Sequence, residues 1–256
     1  MDLNGLLDPL AIWAVFLATV VVSFISAEIG YRLSRYRSRR SAEENEGPVG
    51  AMVGAMLALL AFMLAFTFGL AASRFEDRRQ VVLDEANAIG TTYLRAAMLP
   101  QTISAPSRDM LREYVDVRLE AAKSGRINDA ISKSEDLQNR LWSQAISVTE
   151  KDRSPITALY VSSLNDVIDL HAKRVMVAVR SRVPGAIWIA LYLLAVLAMA
   201  AMGYHQGLTS KKRSLALPGL IIAFSAVLVL IVDLDRPGEG LLRVSQQSMI
   251  DLRKSM

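Results

Sequence analysis

Four stretches of this chain carry no charged side chain: residues 9–27, 47–73, 183–204 and 214–232. Each reaches the length of roughly 20 apolar residues that an α-helix needs to cross about 30 Å of hydrocarbon. A backbone inside lipid must satisfy its own hydrogen bonds, so apolar tracts of this length are expected as helices. Together they occupy about a third of the 256 residues, more than a soluble core of this size absorbs. A water-soluble enzyme is therefore the wrong starting point, and four transmembrane helices are expected. The first tract has no basic residue before it and is longer than the roughly 7 to 15 apolar residues of a signal peptide, so it reads as a retained helix.

The remaining composition narrows the chemistry. Cysteine is absent, which removes disulfides, thiolate nucleophiles and Cys-ligated metals. His171 and His205 are the only imidazoles, and neither has a second ligand at metal-binding spacing. The net charge of +4 is modest, and its bases are dispersed or flank the spans, where topology accounts for them, so no nucleic-acid partner is expected. No Gly-rich phosphate loop, HExxH or nucleophile elbow occurs. The chain reads as a non-enzyme without a cofactor or bound metal.

The expected organisation is all-α: a polytopic membrane protein with a helical aqueous domain inserted between spans two and three. Residues 1–73 hold spans one and two with a short basic loop, 74–182 the aqueous domain, 183–232 spans three and four, and 233–256 an aqueous tail. The middle segment has 17 Lys or Arg against 15 Asp or Glu, and its apolar residues recur at helical spacing. One helix continues from span two through Leu94, with Val82, Ala86, Ile89 and Tyr93 on one stripe, and stops near Pro100. A second is expected from Pro106 to Lys123 on Met110, Tyr114, Val117 and Ala121. A third covers Asn128 to Val148, burying Leu137, Leu141 and Ala145 with Trp142 and Ile146 alongside. Ser154 caps a fourth with Pro155 in its first turn and Leu164, Ile168 and Val175 facing inward. Pro184 should kink or restart the chain at the membrane boundary.

Charge asymmetry speaks to orientation. Asp2 and Asp8 precede span one, and Arg32, Arg35, Arg37, Arg39 and Arg40 follow it; Lys211, Lys212 and Arg213 fill the second short loop. This places both short loops in the cytoplasm and the aqueous domain on the other side. Arg74, Arg78, Arg79, Lys173, Arg174, Arg180 and Arg182 flank the spans on the domain side and weaken that asymmetry.

Span two is the most informative stretch. Gly50, Gly54, Ala58, Ala61, Ala65 and Gly69 follow at intervals of four or three, a groove of small residues that lets another helix approach closely. It serves either packing within one chain or a subunit interface around a shared axis. Phe62 and Phe66 stand four apart beside it, with Ala58 a turn earlier. In several copies around an axis such rings would close a pore by disfavouring water; in one copy they would face lipid or the bundle core.

The run Phe62-Met63-Leu64-Ala65-Phe66, followed by Arg74-Phe75, resembles the second-helix pattern of bestrophin channels. The segments Arg74 to Arg79, Asp84 to Arg95 and Asp233 to Pro237 are similar to the bacterial bestrophin-like membrane proteins, a domain family of unknown function. The resemblance implies a homo-oligomeric ion channel, commonly of five copies, that lies in a lipid bilayer, here the bacterial inner membrane, and passes inorganic ions through a hydrophobic neck. Phe62 and Phe66 match that neck; Ala58 is smaller than the aliphatic residue expected a turn earlier, which implies a shorter or wider constriction. The tail has no dense acidic cluster like the calcium clasp of animal bestrophins, so calcium activation is not carried over. The resemblance also implies a cytoplasmic aqueous domain, opposite to the charge reading.

Charges near span ends are candidates for an ion path or for structural pairing: Glu28 at the end of span one, Arg74, Asp84 and Glu85 on the extension of span two, and Asp233, Asp235 and Arg236 at the exit of span four. Ionisable groups at membrane depth are expensive unless paired or hydrated; at a boundary that cost is small, and interfacial anchoring or an internal Asp-Arg pair is the favoured account over direct ion coordination. Beside the channel stands a second reading, a membrane sensor or scaffold with a helical domain and no conductance.

Overall fold

The computed structural model describes residues 11–38, 46–177, 181–209, 216–236 and 240–256. Asp2, Asp8, Arg39, Arg40, Arg180, Lys211, Lys212, Arg213 and Pro237 lie outside the described residues. The described elements are helices, with no strand among them: α1 (Ile12–Ser38), α2 (Glu46–Ala96), α3 (Gln101–Ser124), α4 (Ile127–Lys151), α5 (Pro155–Val175), α6 (Gly185–Thr209), α7 (Ala216–Asp235) and α8 (Gln247–Ser255). Among the described residues, α1, α2, α6 and α7 are long and apolar enough to cross a membrane. The chain divides into two compact units, Met1–Ser73 with Arg182–Leu242, and Arg74–Ser181 with Arg243–Met256.

In the first unit α1 packs along α6 and α7. The close approach to α6 is made by glycine against backbone. A Cβ on Gly30 would overlap the Ala200 carbonyl, one on Gly203 would overlap the Ala27 carbonyl, and one on Gly207 would lie 2.7 Å from the Ser34 Cβ. Lipid gives helices no hydrophobic reason to associate, so contact depends on van der Waals fit, which small residues provide. Thr19 and Ser26 return their hydroxyls to the carbonyls of Val15 and Val22, each at 2.8 Å, so these polar side chains sit on the buried side of α1 without an orphaned donor. At the start of α6 the backbone is interrupted by Pro184, and the helix begins at Gly185 with the Ile187 amide on the Pro184 carbonyl at 2.9 Å.

The second unit is a helical bundle with its own core. Val82, Ala86, Ile89 and Tyr93 of α2 meet Met110, Leu111, Tyr114 and Val115 of α3, Leu137, Leu141, Ala145 and Val148 of α4, Tyr160, Leu164 and Val167 of α5, and Met249 of α8. Burying each of the larger aliphatic side chains contributes about 1.5–3 kcal/mol. Helix α3 starts at Gln101, ahead of the expected Pro106, which lies inside it. So near an N-terminus a proline forfeits a single backbone bond, and buried Ser107 holds the turn by donating to Gln144 at 2.7 Å. The helix ends at Gly125, whose left-handed φ of 71° lets its amide reach the Ala121 carbonyl. Ser154 caps α5 by accepting from the Thr157 amide, and Asp152 braces that cap by accepting from the hydroxyls of Ser154 and Thr157 at 2.8 and 3.1 Å. Residues 243–256 belong to this unit: Arg253 grips Asp116 at 2.7 Å, and Leu252 lies against Gly90.

Glycines in the two kinds of position should respond differently. Gly203→Ala pushes a methyl into backbone and is expected to cost about 1–3 kcal/mol, whereas Gly54→Ala and Gly69→Ala, with open space at the Cβ, should leave the fold of the chain unchanged. Thermal melting of the three purified variants in detergent, read by circular dichroism, checks this contrast.

Candidate functional site

The apolar half of α2 turns a narrow line of residues to its own chain. Val53, Leu60, Thr67 and Ala71 are buried, at spacings of seven, seven and four. The Thr67 hydroxyl donates to the Met63 carbonyl at 2.7 Å. The other side of the helix is open: Phe62 is 65% exposed and Phe66 55%, and Gly54, Ala58, Ala61, Ala65 and Gly69 are all exposed. Gly50 is half-buried, and a Cβ there would come 2.9 Å from His205 Nε2. Among the described residues, the small-residue groove of α2 is thus not covered by its own chain beyond Gly50. That role belongs to Gly30, Gly203 and Gly207, which stood unremarked among the serines and alanines of spans one and three.

The charged candidates have different partners among the described contacts. Glu28 pairs with Arg32 a turn away at 2.8 Å. Arg74 donates to the Ser181 hydroxyl at 3.4 Å. Asp84 is half-buried and accepts from Gln80 at 2.8 Å. Asp233 takes the backbone amides of Leu241 and Leu242 at 2.9 and 3.0 Å, where an arginine partner is one expectation. Gly240 allows that approach, because a Cβ there would strike the carboxylate and its φ is 148°. Asp235 accepts from the Val183 amide at 2.8 Å, and Arg236, almost fully buried, continues α7 through its amide on the Val232 carbonyl.

Glu85 is the exception, at 0% exposure in the core of the second unit. Its carboxylate pairs with Arg174 of α5 and, at 3.4 Å, with Arg118 of α3, and it accepts the Tyr114 hydroxyl at 2.9 Å. Tyr114 also meets Gln138 of α4 at 3.3 Å and His171 Nδ1 at 3.0 Å, while Arg174 reaches Gln246 at 3.0 Å. Burial and the neighbouring Glu85 push the Tyr114 hydroxyl well above its ordinary value, so it stays a donor. Burial also lowers the Arg118 guanidinium, and Glu85 opposes that shift. Sequence reasoning named Glu85 and Tyr114 without joining them. The available signal was phase: Glu85 falls on the stripe of Val82 and Ile89, and Arg118 lies one turn beyond Tyr114.

The chain matches the bestrophin-like domain over residues 12–249. It belongs to the bestrophin-like family. Two crystal structures of variants of a bacterial bestrophin homologue from Klebsiella pneumoniae superpose with a TM-score of 0.64 each, at 17% and 16% identity. They cover 94% and 95% of this chain and 96% and 97% of their own. A crystal structure of a membrane protein gives a TM-score of 0.63 at 14% identity, covering 95% and 99%. At such identities the likeness establishes a shared fold. No curated protein sequence matches this chain. This bestrophin-like chain is thus an all-helical membrane protein, and its expected family is the one found.

The Glu85 cluster makes a sharp prediction. Glu85→Gln leaves two guanidiniums buried without a counter-charge and should destabilise the second unit by about 3–5 kcal/mol. Asp84→Asn, which keeps an acceptor for Gln80, should stay within about 0.5 kcal/mol. Urea titration of both variants followed by far-ultraviolet circular dichroism distinguishes the two positions.

Proposed function

We propose that the chain is one subunit of a homo-oligomeric ion channel of the bacterial inner membrane. In this reading α1, α2, α6 and α7 cross the bilayer as four spans, residues 74–182 form the aqueous domain between the second and third, and α2 lines the axis. The observation that carries it is the open face of α2. It offers two large aromatics and a row of small residues that its own chain leaves uncovered, and α2 is the least buried of the four apolar helices.

A row of small residues lets identical helices stand close, and close standing brings Phe62 and Phe66 of each copy toward a common axis. Two stacked apolar rings resist wetting and therefore ions, which makes a neck that conducts only when it widens or hydrates. Ala58, a turn earlier, adds no bulk, so the neck is two rings deep. Family membership and the shared fold of bacterial bestrophin homologues support this reading over the sensor or scaffold, for which no feature of the described residues argues separately.

Reconstituted protein in a planar bilayer should pass current, and the double variant Phe62→Ala with Phe66→Ala should raise conductance or open probability several-fold. The channel reading fails if wild type and double variant are both silent across ions and pH while size analysis shows intact oligomers; that result selects the sensor or scaffold.

A further inference from the structure

The cluster around Glu85 carries more positive than negative charge, and one of its members has no place for a proton. Tyr114 has a single hydroxyl hydrogen, which the acceptor-only Glu85 carboxylate takes. His171 Nδ1, 3.0 Å away, must then carry its own hydrogen and donate it to the Tyr114 oxygen, which also accepts from Gln138. The imidazole is thereby fixed as the neutral tautomer with a bare Nε2. That atom is buried with no hydrogen-bond partner among the described residues, in a side chain 4% exposed. The charged and titratable groups that face the ring are Glu85 from α2, Tyr114 and Arg118 from α3, and Arg174 from α5 itself. α4 brings the neutral Gln138, and the segment before α8 brings the neutral Gln246 on Arg174.

We propose that this cluster is an acid-released clamp on the aqueous half of α2, with His171 as the group that takes the proton. A proton on Nε2 would set three cations around one carboxylate and bury an N–H donor that nothing accepts. The relief is for the ring to turn out to water. Tyr114 then loses the donor that orients it toward Glu85, and the contacts that tie α2 to α3 and α5 loosen together. Burial and the Arg118 guanidinium hold the imidazole down to about 4, against 6.5 when free. The loosened state therefore binds the proton more tightly. The clamp is complete above pH 6.5, and its contribution is lost as pH falls from there toward 4.

The full chain in detergent tests this. Between pH 7 and pH 5 the wild-type melting temperature should fall by about 5 °C or more, and amide protection along residues 82–92, after correction for the slower intrinsic exchange at the lower pH, should fall by about tenfold. His171→Asn keeps a donor for the Tyr114 oxygen and cannot titrate, so both changes should disappear in it. Equal pH responses in variant and wild type would overturn the clamp. Should the variant not fold, proton titration of the wild-type His171 ring by NMR decides: a midpoint near 6.5 in intact protein overturns the proposal, and one near 4 with concurrent loosening supports it. An effect on conduction rests additionally on the channel reading. Melting and exchange that respond while bilayers stay silent would uphold the clamp and count against the channel.

Discussion

Inside hydrocarbon a helix satisfies its own backbone but gains nothing from hiding apolar side chains from lipid that is equally apolar. Helices meet there by fit alone, and in this chain the fit is made by removing side chains where two backbones cross. Gly30 and Gly203 each lie against a carbonyl of the opposite helix, so α1 and α6 are committed to one another. The open row on α2 from Gly54 to Gly69 has the same chemistry and is exposed among the described residues. A helix built to be approached closely, and not approached, is the physical basis for placing identical chains beside it.

The second unit answers to the opposite rule. On the reading that residues 74–182 form an aqueous domain, its core is driven together by apolar burial, and the cost lies in the charges enclosed with it. Glu85, Arg118 and Arg174 come from three different helices, so none of these charges is satisfied until the helices have assembled. Replacing such a cluster with well-packed aliphatic residues is often no less stable; what the polar version adds, on the clamp proposal, is sensitivity to protonation.

Much of this fold was legible in the sequence because it followed apolar periodicity. Val82, Ala86, Ile89 and Tyr93 are all buried, as are Leu137, Leu141 and Ala145, and Ser154 caps α5 with Pro155 behind it. Periodicity failed where the buried face is polar. On α3 the expected stripe of Met110, Tyr114, Val117 and Ala121 drifts off the core, since the inward residue beyond Tyr114 is Arg118, while Val117 and Ala121 are half-buried. Ile146, expected beside Trp142, is half exposed. Counting apolar letters cannot reveal a charge whose partners sit on other helices, nor which of several small-residue rows a chain uses for itself.

That distinction bears on what would select ions. Several of the acidic groups that sequence alone offers for an ion path are already engaged: Glu28 with Arg32, Glu85 with two guanidiniums and Asp233 with two backbone amides. A carboxylate committed to such partners has little left with which to replace an ion's hydration shell. On the channel reading, the discrimination that remains at span two comes from Phe62 and Phe66, which carry no charge. Such a ring separates open from closed by whether water enters, and separates ions by how readily each moves with its water or gives it up. Control of flow would then rest on the position of α2, the one helix that carries both the phenylalanines and Glu85.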